Sequence, residues 1–217
     1  MNAAPPRDLS LRKPLARLAE ADADIARAYQ QVGLPPKRSH DASFAGLLRI
    51  LVAQQISSAA ARNITARLEA AASPLTPETF LALGDADVRA IGLSGQKVLY
   101  GRTLANAIAG GALDLSALEG TDDESAISTL VEIKGIGQWT AEIYLLFALR
   151  RPDIWPAGDL AIRSAVQRLR GLKERPSIAQ ARDEAEGWRP HRSAAARFLW
   201  HYYKHPGVPG TSAGTSA

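Results

Sequence analysis

Cysteine is absent from the 217 residues of this chain. That absence excludes disulfide bonds, thiolate catalysis, zinc sites with cysteine ligands and iron–sulfur clusters held by cysteine. The sequence also has no run close to the roughly 20 apolar residues that a membrane-spanning helix needs. Met1–Ser10 lacks the apolar segment of a signal peptide. We therefore expect a cytoplasmic protein with no membrane partner.

Strand patterns are missing as well. No apolar run alternates with polar residues between hairpin turns, and no segment recurs with the period of a solenoid. What is present is helical periodicity, in which apolar residues recur every three or four positions. Two such faces are formed by Phe44, Leu47, Leu48 and Leu51, and by Ile143, Leu146 and Phe147. The pattern predicts an all-α protein, an orthogonal array of about ten helices.

Capping residues predict where several of these helices begin and end. Thr76, which precedes a proline, has the pattern of an N-cap. Segments 121–124 and 177–180 fit capping boxes. Gly92 and Gly171 are placed where helices should stop.

Composition varies along the chain. Segments 1–8 and 207–217 contain almost no large apolar side chains, so we expect both to be disordered around one domain over 9–206. The net charge is only +4, but Arg163–Lys204 holds ten Lys or Arg against four Asp or Glu. This part is a candidate surface for a polyanion. An ordinary solvated helical face would give the same count.

A two-glycine turn is the most informative local feature. A capped helix over about 121–131 is followed by Lys134-Gly135-Ile136-Gly137, and a second helix begins near Gln138. Glycine permits positive φ and close approach to the main chain. The free amides and the dipole of the second helix favour a phosphate. A plain turn with Ile136 as its apolar plug would have the same sequence.

A single aspartate stands out downstream. The loop Pro156-Ala157-Gly158 precedes Asp159, and a helix is predicted to begin at Leu160. Asp159 in this position is a good N-cap. The helix dipole favours a negative charge there, and an ionised carboxylate can stabilise positive charge that develops on a sugar. Capping and catalysis are compatible roles.

The string from Lys134 to Ala141, followed at this separation by Pro156–Asp159, resembles the helix-hairpin-helix DNA glycosylase superfamily (HhH-GPD). Within it, the chain is similar to the compact 3-methyladenine DNA glycosylase II family, over about Ser43–His205. The resemblance implies an orthogonal helical fold, with a hairpin over about 121–149 and two helical lobes with the active-site cleft between them. It also implies an enzyme that flips alkylated purines out of duplex DNA and hydrolyses the N-glycosidic bond.

The resemblance assigns roles to residues of the hairpin and the loop. Asp159 is expected to be the catalytic carboxylate, as electrostatic partner or as general base. The DNA backbone contacts are expected from Lys134, Gly135, Gly137 and Thr140. Relatives that also cut the DNA backbone use a lysine that forms a Schiff base. Trp139 occupies that position here, so we expect a monofunctional hydrolase without lyase activity.

The resemblance also assigns aromatic and wedge residues. Trp139 and Trp200 are expected in the base pocket, although tryptophans in helical proteins commonly pack in the core, as we expect for Trp188. The family's pocket tyrosine is replaced by Ile143, which leaves the range of lesions open. Gln55 matches the wedge that fills the gap left by the flipped base. Gln54 is interpreted as a structural residue, and Lys97 as a solvated lysine or a phosphate contact.

Partners and cofactors follow from the same resemblance. We expect a monomer that acts on damaged double-stranded DNA, near the nucleoid when bound, without a metal or other cofactor. A monovalent cation held by hairpin carbonyls is compatible with the family. Two alternatives stay open: a glycosylase for an oxidised or mismatched base, and a non-catalytic helix-hairpin-helix module that only binds DNA.

Overall fold

The computed structural model describes residues 6–38 and 40–205. Within them the chain forms twelve α-helices and two 3₁₀ helices, and the one β-feature is an isolated bridge between Arg7 and Pro36. The all-α prediction is confirmed, with twelve helices in place of about ten. These residues divide into two compact units, one formed by 6–38 with 151–205 and the other by 40–150.

The helices follow one another with short connections. In chain order they are α1 (Arg12–Ala21), α2 (Ala23–Val32), α3 (Phe44–Val52), α4 (Ser58–Ala71), α5 (Pro77–Leu81), α6 (Asp85–Ile91), α7 (Gly95–Ala109), α8 (Asp123–Val131), α9 (Gln138–Phe147), α10 (Leu160–Arg170), α11 (Ile178–Glu186) and α12 (Arg192–Lys204). The 3₁₀ helices are Leu9–Leu11 and Ala117–Gly120. In the part of the chain that the structure describes, none of the helices has the length and apolar character of a membrane span.

Most predicted helix boundaries are confirmed. The N-caps of α5 and α11 and the left-handed glycines after α6 and α10 are as expected: Thr76, Ser177, Gly92 and Gly171. The capping box predicted at 121–124 is wrong by one residue. Asp122 caps α8, and its side chain accepts the amide of Ser125. An aspartate next to the threonine is the better acceptor for the first turn.

The unit formed by 40–150 is built around α3. This helix packs against α4, α7 and α9 and is buried on nearly every side. Its predicted apolar face is confirmed, since Leu47, Leu48 and Leu51 have no exposed surface. Burial of one such side chain contributes about 2 kcal/mol. The packing holds the end of α3 close to α9, which is also paired with α8.

The other unit packs α12 against α1, α2 and α10. Its N-terminal residues are more ordered than predicted. The Asp8 amide donates to the Pro35 carbonyl, and the buried Asp8 carboxylate pairs with Arg197. The expectation of disorder over 1–8 is therefore wrong for residues 6–8, because a buried ion pair fixes them. The rest of that segment and 207–217 lie outside the described residues.

Candidate active site and DNA-binding elements

Asp159 caps α10 in the unit formed by 6–38 and 151–205. A tight turn leads into it, because its amide donates to the Pro156 carbonyl at 2.9 Å. One carboxylate oxygen, Oδ1, accepts two hydrogen bonds, from the Ile162 amide at 2.9 Å and from the Trp200 indole Nε1 at 3.1 Å. The residue is half-buried. The capping interpretation is thus confirmed, and the carboxylate is held in one orientation.

Trp200 lies on α12 and is half-buried. It was expected to contact the base, and the structure adds a bond from its indole N–H to Asp159 across 41 positions of sequence. Trp188 differs, since its side chain is 1% exposed and its ring packs edge-on against Trp155. The expectation that Trp188 belongs to the core is confirmed.

Lys204 is a charged neighbour of Asp159 that the sequence analysis did not single out. Desolvation of its ammonium group lowers the pKa of Lys204, and repulsion from Arg38 lowers it further, while the attraction of Asp159 opposes both. Lys204 comes one helical turn after Trp200 on α12. That spacing puts both side chains on one face of the helix. The sequence therefore contained a signal that Lys204 lies near Trp200.

The hairpin is formed by α8, the turn at 132–137 and α9. Gly135 has φ of +101°, and a Cβ there would overlap the ring of Tyr100, so only glycine fits. Ile136 is 3% exposed and does plug the turn as the plain-turn interpretation requires. Gly137 differs from the expectation of positive φ. Its φ is −91°, and it serves as the N-cap of α9.

The N-terminus of α9 has no side-chain cap from its N-cap residue, because Gly137 has no side chain. A Cβ at Gly137 would meet nothing within 4 Å, and both Gly137 and Lys134 are exposed. The first amides of an α-helix have no intrahelical acceptor and attract anions. This end of the hairpin has the features of a phosphate site.

The side chain of Thr140 is turned away from solvent, so its expected DNA contact stays a prediction for the main chain. Thr140 is 2% exposed, and its hydroxyl accepts a hydrogen bond from Gln54 Nε2 at 2.8 Å. The same nitrogen donates to the Gly135 carbonyl at 3.3 Å. The side chain of Thr140 therefore faces the interior, where it contacts the segment between α3 and α4. The structural interpretation of Gln54 is confirmed.

That segment, residues 53–57, carries the predicted wedge and is called the wedge segment below. Gln55 is exposed and has φ of +57°. A left-handed conformation costs a residue with a side chain roughly 1–2 kcal/mol, so the surroundings must hold it. Lys97 contributes, because its Nζ donates to the Val52 carbonyl at 2.7 Å. Desolvation lowers the pKa of Lys97. The hydrogen bond to the Val52 carbonyl gives Lys97 a structural role.

Trp139 is the second residue of α9 and is half-buried. Ile143, one turn further, is 6% exposed, and Tyr144 is completely buried. The Tyr144 hydroxyl has no hydrogen-bond partner among the described residues. Burial raises the pKa of Tyr144 to about 12, and the charge of Glu119 raises it as well. Tyr144 is thus a core residue and does not replace the family's pocket tyrosine.

A groove of about 610 Å³ runs between the wedge segment and the hairpin. Gln55, Lys97, Tyr100, Gly135 and Gly137 contribute to its walls. Within residues 6–38 and 40–205, no cluster of three or more His, Asp or Glu side chains is suited to a metal ion. The groove brings Gln55, the predicted wedge, together with Lys97 and the N-terminal end of α9 in this unit.

Comparison with known proteins adds two kinds of similarity. The sequence model of the HhH-GPD superfamily of base excision DNA repair proteins matches residues 48–190. DNA-3-methyladenine glycosylase 1 of Schizosaccharomyces pombe is 33% identical over 198 residues, which cover 88% of this chain and 87% of that protein. The alkylbase DNA glycosidase-like protein mag2 of the same yeast is 26% identical over 91% of this chain and 96% of its own length.

One solved structure is similar to this chain over almost the whole length of the solved protein. It is the 3-methyladenine DNA glycosylase of Schizosaccharomyces pombe in complex with abasic DNA. The TM-score is 0.82 and the sequence identity 32%, and the alignment covers 89% of this chain and 98% of that one.

Proposed function

Because the chain belongs to the HhH-GPD superfamily of base excision DNA repair proteins, we propose that Asp159 supplies the carboxylate with which it excises a damaged base. The protein is an alkylbase DNA glycosylase of base excision repair. One observation carries the proposal for Asp159. Its Oδ1 accepts both the Ile162 amide and the Trp200 indole N–H, so the carboxylate is oriented before substrate arrives.

The chemistry needs a fixed negative charge. As the N-glycosidic bond breaks, its electron pair leaves with the base and positive charge develops on the sugar. A carboxylate held beside the sugar stabilises that charge. Water then adds to the anomeric carbon, and its proton passes to Asp159 or to solvent. Asp159 can therefore act as electrostatic partner and as general base in one reaction.

Alkylated purines are suited to a site with one such carboxylate. A base such as 3-methyladenine already carries positive charge and leaves as a neutral molecule, so it needs little help from a general acid. We propose stacking roles for the half-buried indoles of Trp139 and Trp200. A cationic base over an electron-rich ring gains about 1–2 kcal/mol.

We propose hydrolysis without strand cleavage. Trp139 occupies the position at which lyase relatives carry a Schiff-base lysine, and an indole cannot form that adduct. The nearest hairpin lysine, Lys134, is exposed on the other side of the two glycines and is better suited to a phosphate. The enzyme would therefore release the base and leave an abasic site.

The contacts to DNA follow from the unit formed by 40–150. We propose that the amides at the start of α9, with Lys134, hold a phosphate without reading the sequence. Gln55 enters the gap left by the flipped base, with its exposed side chain on a left-handed backbone. A monomer on double-stranded DNA, a cytoplasmic location and cofactor-free catalysis stay predictions.

The test is release of bases from alkylated duplex DNA. We expect the protein to release 3-methyladenine and 7-methylguanine, and hypoxanthine is scored in parallel to define the range. Abasic DNA with borohydride checks the second part of the proposal, and we expect no strand cleavage and no trapped adduct. Salt-sensitive DNA binding without release of any base would contradict the enzymatic proposal, and a trapped adduct would contradict hydrolysis alone.

A further inference from the structure

The wedge segment and the hairpin are joined by one side chain. Gln54 Nε2 donates to the Thr140 hydroxyl at 2.8 Å and to the Gly135 carbonyl at 3.3 Å. These partners are 86 and 81 positions away in the sequence. Gln54 directly precedes the proposed wedge, Gln55, and its partners lie in the hairpin turn and in the first turn of α9.

The chemistry of the link is specific to glutamine. A primary amide has two N–H donors, and here one nitrogen serves two acceptors. Glutamate has no donor at this position, and methionine keeps the length but loses both bonds. Thr140 is 2% exposed, so loss of Gln54 leaves a hydroxyl without its partner inside the protein.

The link also supports an unusual backbone. Gln55 has φ of +57°, and the carbonyl of Val52, just before the wedge segment, accepts the Lys97 ammonium at 2.7 Å. The segment is therefore held at its start by Lys97 and in its middle by Gln54.

We infer that Gln54 is a positioning residue that sets the wedge relative to the hairpin, so that base flipping depends on it more than bond cleavage does. The inference rests on the proposed function, because it takes Gln55 as the wedge and the hairpin as the DNA grip. A grip that holds the backbone and a side chain that fills the gap must keep a fixed spacing to stabilise the flipped state.

The experiment compares two substrates with Gln54→Met. One is an alkylated base in a matched duplex, and the other is the same base within a run of mismatches, where unpairing costs less. We expect single-turnover excision from the matched duplex to fall about tenfold, the loss expected for one or two hydrogen bonds, and excision from the mismatched duplex to fall much less. Equal losses on both substrates, or no loss on either, would overturn the inference.

Variants of Thr140 test the same hydrogen bond from its acceptor side, without a change at Gln54. Thr140→Val removes the acceptor with little change of shape and should reproduce the duplex-specific loss, while Thr140→Ser keeps the hydroxyl and should restore most of the rate. Gln54→Met combined with Thr140→Val should cost no more than Gln54→Met alone, because Gln54→Met already removes the bond to Thr140. Additive losses would overturn the link. Gln30→Met, on the exposed face of α2, controls for the substitution itself.

A second readout needs no chemistry. The fluorescence of 2-aminopurine opposite a stable abasic-site analogue changes when a side chain enters the gap. Gln54→Met should weaken that change, and Gln30→Met should not. An unaltered signal in Gln54→Met would overturn the inference. If the wild-type protein released no base at all, the proposed function would fail while this comparison still tested the link.

Discussion

Asp22 and Asp159 have the same local arrangement in one unit of the protein. Each caps a helix, accepts a backbone amide and accepts a hydrogen bond from a tryptophan indole, Trp188 for Asp22 and Trp200 for Asp159. They differ in their surroundings. Both residues are half-buried, but Asp22 is bound by Arg170, while Asp159 lies next to the exposed Gly158.

The difference shows what turns a cap into a candidate catalytic group. The guanidinium of Arg170 binds both oxygens of Asp22, and Trp188 is 1% exposed, so this carboxylate is occupied by the fold. A partly buried ion pair of this kind serves stability, and breaking it is costly. Asp159 and its tryptophan keep exposed surface, which a substrate can reach.

The sharpest test of this contrast makes the same substitution, aspartate to asparagine, at Asp159 and at Asp22. Asp159→Asn keeps an oxygen for the Ile162 amide and the Trp200 indole but removes the charge. We expect excision of 3-methyladenine to fall about 10²–10³-fold, the usual loss for a group that stabilises transition-state charge. Asp22→Asn should lower stability and leave excision per folded molecule unchanged. Equal rates of excision by Asp159→Asn and wild type would contradict the assignment of Asp159 as the catalytic carboxylate.

The contribution of Asp22 to the stability of the protein should depend on pH. Burial alone would raise the pKa of Asp22, but hydrogen bonds from Arg170, Trp188 and the Ile25 amide outweigh it and lower the pKa to about 2. A carboxyl with a depressed pKa stabilises the fold above its unfolded value of 3.8, and this is lost as the pH falls toward 2.

We therefore expect Asp22 to contribute about 2 kcal/mol at neutral pH. The measurement is the free energy of unfolding of wild type and Asp22→Asn between pH 7 and pH 2, by denaturant titration. The two proteins should differ at neutral pH and converge as the pH falls from roughly 5 to 2. A constant difference across that range would show that the charge of Asp22 is not what stabilises the protein.

The indole partners give the next contrast. Trp200→Phe keeps an aromatic face but removes the N–H that orients Asp159, and we expect about a tenfold lower rate of excision with little change in binding to abasic DNA. Trp188→Phe should instead cost about 1–3 kcal/mol of stability, because the half-buried Asp22 loses a donor. A rate unchanged by Trp200→Phe would limit Trp200 to stacking.

The smallest expected effect comes from giving α9 the kind of cap that α10 has. Gly137→Asp fits the backbone, since φ is −91° and an added Cβ meets nothing within 4 Å. The carboxylate would occupy the amides and repel phosphate, so we expect several-fold weaker DNA binding at low salt. Gly137→Asn, a cap without charge, should lose less. Identical binding by both variants would argue against phosphate at this helix end.

Local sequence signals predicted the elements well. The hairpin helices begin and end within two residues of their expected positions, and the apolar faces of α3 and α9 are buried as predicted. Such features depend on residues three or four apart, so the sequence carries them directly. The boundary error at Asp122 has the same scale, because adjacent threonine and aspartate compete to cap one helix.

Features that depend on distant residues were not predictable. The sequence around Gly137 did not show that the Thr140 side chain is buried and accepts a hydrogen bond from Gln54, far away in the sequence. Residues 6–8 looked too polar to order, yet Arg197 pairs with Asp8. In both cases the partner comes from a distant segment of the chain, and its arrival is a result of packing.

The two aspartates show which features the sequence predicted and which arose only in the tertiary structure. The sequence alone predicted that Asp159 would cap a helix, because an aspartate before a helical run accepts amides of the first turn. It also determined the hairpin and the family to which the chain belongs. Only the tertiary structure decided that Arg170 and a buried indole occupy Asp22, while a half-buried indole orients Asp159. Long-range contacts of this kind arise only when helices pack, and they give the two carboxylates different surroundings.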